Sequence, residues 1–456
     1  MTLAATRPVR ASAIDPRAGS IVSTVREIEP VDLVSLFGAA RAAAQDAVVW
    51  LAPGGEPSML AVGSAWRVRA VGRGRFRDVA DAWNDVARSA VVDGPIDRPR
   101  ATGPLLIGGF GFGDEPATTA LWRGFEGASL TLPRVLVTSI GGRTWLTLNE
   151  TTHDDTALAL WADVRTAAAL PPPASRPQGA PRVVREVPDA AEWQLAVARL
   201  AGAVGRGRLD KVVLARRIDL AADAPIDVPA VVRRLASSAV AATVFAFGTA
   251  ERTFVGATPE RLARVEARTF RTVAMAGSAG RGADEPDDER LAAALLASEK
   301  EREEHRIVVE MLRETLAPLA DTLHVAPRPT VRRLRHVQHL VTEIEGRLHE
   351  RSGVLELVER LHPTPAVGGS PTDVALELLG EQERIERGWY AGPVGWVDAD
   401  GAGEFVVGIR SAVVDGVEAS LFVGCGIVGD SDPAHEWQES VDKSQLMARA
   451  LAGGPA

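Results

Sequence analysis

Lys211 opens the run Lys211-Val212-Val213-Leu214-Ala215-Arg216, whose apolar, β-branched residues read as a buried strand with a charge at its edge. A desolvated lysine there could take a proton from water, while a stem laid along apolar surface with its ammonium in solvent accounts for the same residues equally well. Glu260 follows a Gly/Pro turn in Gly256-Ala257-Thr258-Pro259-Glu260. Alone it reads as a surface or helix-start carboxylate, and its weight as a candidate acid comes from its company. Further on, SEKEREEH places Glu301 and Glu304 three residues apart, and Glu304 shares a helical face with Val308 and Met311. Near the C-terminus, Asp432 and Pro433 read as the cap and first residue of a helix on which Glu436, Glu439 and Lys443 share one face.

Carboxylates on two helices, in a chain with eight histidines and one cysteine, suit a hard, oxygen-seeking ion such as Mg²⁺ better than zinc. Two helices laced by surface ion pairs explain the same residues about as well. Gly277, Gly280 and Gly282 in AMAGSAGRG permit close backbone approach to a ligand, or make a plain flexible loop. His339, and the rigid loop of LHPTPAVGGSP with its Pro363 and Pro365, suit either a shaped pocket or ordinary structure.

The elements that must position these groups are short and mixed. Strand-like runs at Ala47 to Leu51, Arg134 to Ser139 and Arg143 to Leu148 alternate irregularly with helical stretches at Val31 to Ala44 and Pro286 to Leu316. GGFGFGDE, starting at Gly108, lacks the spacings of a nucleotide loop and reads as a glycine-rich strand or bend. YAGPVGWVDADGAGEFVVGIR reads as a hairpin turning over Asp398 to Gly403, with Arg410 beyond its second strand. An α+β protein with large, mainly antiparallel sheets follows. The proline-rich stretch from Pro171 to Pro181 marks a linker or surface loop, which divides the chain into 1–180 and 181–456.

Composition narrows the function classes. A net charge of -9 argues against a nucleic-acid binder, which needs a basic face to displace counterions from phosphates. One cysteine, Cys425, allows no internal disulfide and suits a reducing cytoplasm. No signal-peptide pattern and no membrane span is expected.

Taken in order, KVVLAR, GATPERL, AGSAGRG with SEKEREEH, HPTPAV, and GIRSA with GCGIV and the Glu-x-x-Glu helix resemble the motifs of the chorismate-utilising enzymes. That family includes the isochorismate, salicylate, anthranilate and aminodeoxychorismate synthases, and the resemblance covers Val183 to the C-terminus. It implies one large unit of two facing, mainly antiparallel sheets with helices outside, onto which residues 1–180 pack. It also implies Lys211 as the base that activates water and Glu260 as the acid that protonates a departing hydroxyl. Glu304 and Glu439 would ligate Mg²⁺ with Glu436 in support. Tyr390, Arg410, Lys443, Gly424 and Gly426 would hold the substrate's carboxylates, and Ala276, Gly277, Ser278 and His339 would line its ring.

Within the family, Lys211 implies water rather than ammonia as nucleophile, so no glutaminase partner is expected. HPTPAV, with Ala366 where salicylate synthases carry threonine, implies isochorismate synthase, with salicylate synthase or a non-catalytic chorismate-binding subunit as alternatives. The product could serve menaquinone or siderophore biosynthesis, and a cytoplasmic monomer or weak homodimer is expected. Cys425 stands where the family commonly has alanine.

Overall fold

A computed structural model describes residues 20–151, 156–170, 180–333, 337–350 and 352–453, without the side chains of Ser278, Lys300, Glu304 and Val337. Pro171 to Gly179, most of the expected linker, lies outside the described residues. Among the described residues the fold is α+β, with two sheets of thirteen and ten strands. Among the described pairings only Ile21–Ile28 with Val91–Asp93 is parallel.

The chain forms two compact units: Met1–Glu260 with Pro363–Ala399 and Val406–Ala456, and the smaller Arg261–His362 with Asp400–Phe405. No division falls at 180. Strand pairing explains this, because Ala47–Leu51 from the N-terminal part is hydrogen-bonded to Thr243–Gly248 from beyond the proline-rich stretch.

In the larger unit, the thirteen-stranded sheet has Arg182–Val187 at one edge, followed by Lys211–Ala221, Glu418–Ile427, Ser411–Asp415, Thr253–Thr258 and Thr243–Gly248. The Lys211 strand is buried on both faces over Val212 to Arg216, which is why its sequence is an unbroken run rather than an alternation. Helices Leu33–Ala42, Val228–Ser238 and Pro433–Leu451 contribute to one apolar cluster against this sheet. A second cluster joins Trp193, Leu200, Leu214, Leu378, Cys425 and Ile427. The glycine-rich segment at Gly108 is the strand Leu105–Phe110, where a Cβ on Gly108 would lie 2.1 Å from the carbonyl oxygen of Ser129. Only glycine permits that approach.

In the smaller unit, Thr269–Gly280 pairs with both Arg261–Glu266 and Val337–Leu348, all antiparallel. The single helix expected over Pro286 to Leu316 is two, Glu285–Ala297 and Glu299–Leu316. Ser298 makes the break: its extended backbone ends the first helix, and its hydroxyl accepts the amide of Glu301 at 3.3 Å to cap the second.

Candidate active site

Strand register sets the first part of the site. Lys211–Ala221 runs antiparallel to Glu418–Ile427 with Val213 opposite Gly426 and Ala215 opposite Gly424. A Cβ on Gly426 would sit 2.6 Å from Lys211 Cε, and one on Gly424 would sit 3.0 Å from Tyr390 Oη. The two glycines thus clear the floor that the Lys211 stem and the tyrosine occupy. Tyr390 is buried with its ring stacked on Phe422, centroids 5.2 Å apart. Burial pushes its phenol above the ordinary value, so it stays a neutral hydrogen-bonding group.

Glu260 is fixed by its main chain: its amide donates to Thr258 Oγ1 at 3.2 Å and its carbonyl accepts Val407 N at 3.0 Å. Protein crowds the carboxyl while part of its surface stays open. This desolvation pushes its pKa up to about 7, against the pull of the Lys211 and Arg410 charges. An acid poised there can hold a proton near neutrality and give it up in a reaction. Arg410 has a φ of 52°, an unusual backbone for a non-glycine residue, and its Nη1 donates to Lys443 O at 3.1 Å. Burial draws the guanidinium's pKa down from its ordinary value.

The C-terminal helix, Pro433–Leu451, starts at Asp432, whose carboxylate accepts His435 N at 2.8 Å. Its buried stripe of Glu436, Ser440, Ser444, Met447 and Leu451 follows helical periodicity, with an acid at the first place where an apolar residue is expected. Glu436 Oε1 accepts Ser431 Oγ at 2.8 Å, while Oε2 is buried with no hydrogen-bond partner among the described residues. Burial raises the Glu436 pKa and the Glu439 charge adds to the rise, opposed by the Ser431 hydrogen bond and more weakly by His435 and Lys443. Glu439 pairs with Lys443, whose Nζ also donates to Gly424 O at 3.2 Å. Donor atoms of Cys425, Glu436 and Glu439 all lie within 4.8 Å of one another. An orphaned carboxylate oxygen beside a second carboxylate fits a cation, and Glu436 and Glu439 are the residues that could hold one.

Lys211, Glu260, Tyr390, Arg410, Gly424, Gly426, Glu436, Glu439 and Lys443 thus all belong to the larger unit, as does Ala366, which is exposed in the loop before Gly369–Ser370. The other expected residues belong to the smaller unit. There Gly277, with φ of 75°, sits at a β-bulge between Ala276 and Ser278, and Ser278 is in register with His339. Glu304 lies on the helix Glu299–Leu316, and its side chain, like that of Ser278, lies outside those described.

Three supporting residues escaped the sequence reading. Arg387, buried and paired with Glu383 at 2.7 Å, donates to Val367 O at 2.7 Å and to Val213 O at 2.6 Å. Glu383 in turn accepts the amide of Ala215 at 3.0 Å, so this pair ties the HPTPAV loop to the Lys211 strand. The signal was a Glu and an Arg four apart just before Trp389-Tyr390, a spacing common on any solvated helix. In the smaller unit, His305 is buried between Ala276 O at 3.1 Å and Thr342 Oγ1 at 2.7 Å. Burial lowers its pKa, so it serves as a neutral bridge from the helix to the strands.

A family model described as chorismate binding enzyme matches residues 9–452. The chain belongs to the chorismate-binding enzyme family. It is 37% identical over 438 residues to the salicylate biosynthesis isochorismate synthase of Pseudomonas aeruginosa, covering 95% of this chain and 90% of that one. To isochorismate synthase MenF of Bacillus subtilis it is 33% identical over 441 residues, covering 95% and 94%. The solved structure of MenF, the menaquinone-specific isochorismate synthase from Escherichia coli, superposes with a TM-score of 0.78 at 26% identity, covering 95% of each chain. The family match begins far upstream of Val183, so the N-terminal part belongs to the family fold as fully as the motif-bearing part.

Proposed function

We propose that the protein is an isochorismate synthase that converts chorismate to isochorismate with Mg²⁺. The observation that carries the reading is Glu260, an acid poised near neutrality under the influence of Lys211 and Arg410. Relatives named isochorismate synthase that match nearly the whole chain support it.

Lys211 acts once its ammonium has given a proton to solvent: the amine then takes a proton from water as the water oxygen bonds to ring C2. The ring double bonds shift, the C4 hydroxyl departs, and Glu260 gives it a proton so that it leaves as water. One water enters and one leaves; Lys211 ends protonated and Glu260 ionised, and the net transfer of one proton from Lys211 back to Glu260 through solvent resets both. A base and an acid in such roles contribute about 10²- to 10⁴-fold each. Chorismate is a dianion, so Arg410 and Lys443 hold its carboxylates, Tyr390 and the amides around Gly424 and Gly426 orient it, and Ala276, Gly277, Ser278, His339 and Ala366 line its ring. Glu439 and Glu436, with Glu304 as the remaining carboxylate, would hold Mg²⁺, which would supply the positive charge that lets an acid-rich site accept a dianion.

Purified protein incubated with chorismate and Mg²⁺, with products separated, tests this. Isochorismate alone is expected. Salicylate with pyruvate would move the function to salicylate synthase, and no product with or without ammonia would make the chain a non-catalytic chorismate binder.

A further inference from the structure

We infer that Cys425, Glu436 and Glu439 form a site for a thiophilic divalent cation of the zinc, cobalt or cadmium class. The inference goes beyond the proposed chemistry, because Mg²⁺ takes oxygen ligands and has no use for sulfur. Three observations carry it. A sulfur and two carboxylate oxygens lie within 4.8 Å of one another, close enough to face one ion. Glu436 is only 7% exposed, yet its Oε2 is buried with no hydrogen-bond partner among the described residues, an arrangement that costs stability until a cation or proton answers it. Cys425, the one cysteine of the chain, is fully buried at this place, its Sγ donating weakly to Glu436 O at 3.4 Å.

A mixed sulfur and carboxylate set selects borderline and soft ions over Mg²⁺ by ligand softness, not by size. Lys443 pairs with Glu439 Oε1, and the second oxygen of that carboxylate would serve a metal. On binding, the Cys425 S–H bond breaks, a sulfur–metal bond forms and the proton goes to solvent, with no change of oxidation state. An ion held there claims the carboxylates that the proposed function assigns to Mg²⁺, so zinc would compete with Mg²⁺ in this chain.

The test uses the full-length, metal-free protein. Titrated anaerobically with Co²⁺, it should develop the near-ultraviolet band of a thiolate bound to cobalt, saturating at one equivalent. Cys425→Ala should lack the band and bind Zn²⁺ at least about tenfold more weakly by calorimetry, the scale on which loss of even an outer-shell partner acts. Cys425→Ser, nearly the same volume, controls for folding by its circular dichroism. A cobalt spectrum with oxygen ligands only, or zinc affinity equal in wild type and Cys425→Ala, would overturn the inference. Chorismate conversion with Mg²⁺ is measured separately, so a chain that makes isochorismate but shows no thiolate band loses only the ion site.

Discussion

Lys211 and Glu260 divide the proposed chemistry between them, and each makes a distinct prediction. Lys211→Ala should cut kcat by about 10²- to 10⁴-fold while leaving the melting temperature near wild type, since it removes a base and no core volume. Turnover at the wild-type rate would remove Lys211 from the mechanism. Glu260 must be protonated to act as the acid, so kcat/KM should fall as pH rises through about 7. Its value is raised from 4.5 by folding, so the stability it contributes is full below 4.5 and lost as pH rises through about 7. Glu260→Gln should therefore abolish turnover yet gain on the order of 2 kcal/mol over wild type at pH 8, and almost nothing at pH 4, in urea melts. An equal effect at both pH values would show that Glu260 is not the group whose burial sets this balance. Gly426→Ala complements these: its Cβ meets only the flexible end of Lys211, so it should fold normally and lose activity.

At the scale of elements, the site depends on how the strand that carries Lys211 meets the helix that carries Glu436, Glu439 and Lys443. Arg216 joins them. It is fully buried on the Lys211 strand, with its guanidinium 3.9 Å above the Trp437 ring, Nε donating to Ser440 Oγ at 2.8 Å and Nη1 on Glu186 at 2.9 Å. Trp437 and Ser440 each follow directly after one of the helix acids, so the arginine sets the rotation of the helix that presents them. Arg216→Met should lower stability by about 3 kcal/mol in urea melts and weaken Mg²⁺ binding by calorimetry, whereas a merely structural role would leave the metal affinity of the folded variant unchanged. Arg216 was visible in the sequence only as the end of KVVLAR, because burial and a partner over two hundred residues away leave no local mark. Glu383 and Arg387 did leave a mark, their four-residue spacing, but one common to any solvated helix, and their bonds to Ala215 and Val213 come only with the fold. The cap at Asp432 and the shared face of Glu436, Glu439 and Lys443, by contrast, follow from helical geometry alone and could be read from spacing.

Across the whole molecule, an uneven use of cations stands out. The chain has 51 lysines and arginines, of which only Lys211, Lys300 and Lys443 are lysine. Two of those three, with the one tyrosine and the one cysteine, lie in the larger unit along or beside the paired strands Lys211–Ala221 and Glu418–Ile427. Arginine serves nearly everywhere a surface cation is needed, but it cannot give up its proton, so of the two cations only lysine can act as a base. Reductive methylation of the full chain, followed by mass spectrometry, should show Lys211 and Lys443 protected by chorismate with Mg²⁺. Equal labelling with and without chorismate would take both out of the site. No described helix is long and apolar enough to cross a membrane, in line with the absence of any long apolar run in the sequence. The sequence by itself determined the family, the α+β class, the strand that begins at Lys211 and the helix face of acids, because periodicity, capping and motif order are local properties. It marked residues 1–180 as a region that packs onto the rest, and the tertiary structure shows the pairing that joins them, Ala47–Leu51 to Thr243–Gly248. Only the tertiary structure decided the raised pKa of Glu260, the orphaned oxygen of Glu436 and the sulfur beside it, because desolvation and unmet hydrogen bonds arise from packing between segments far apart in the chain.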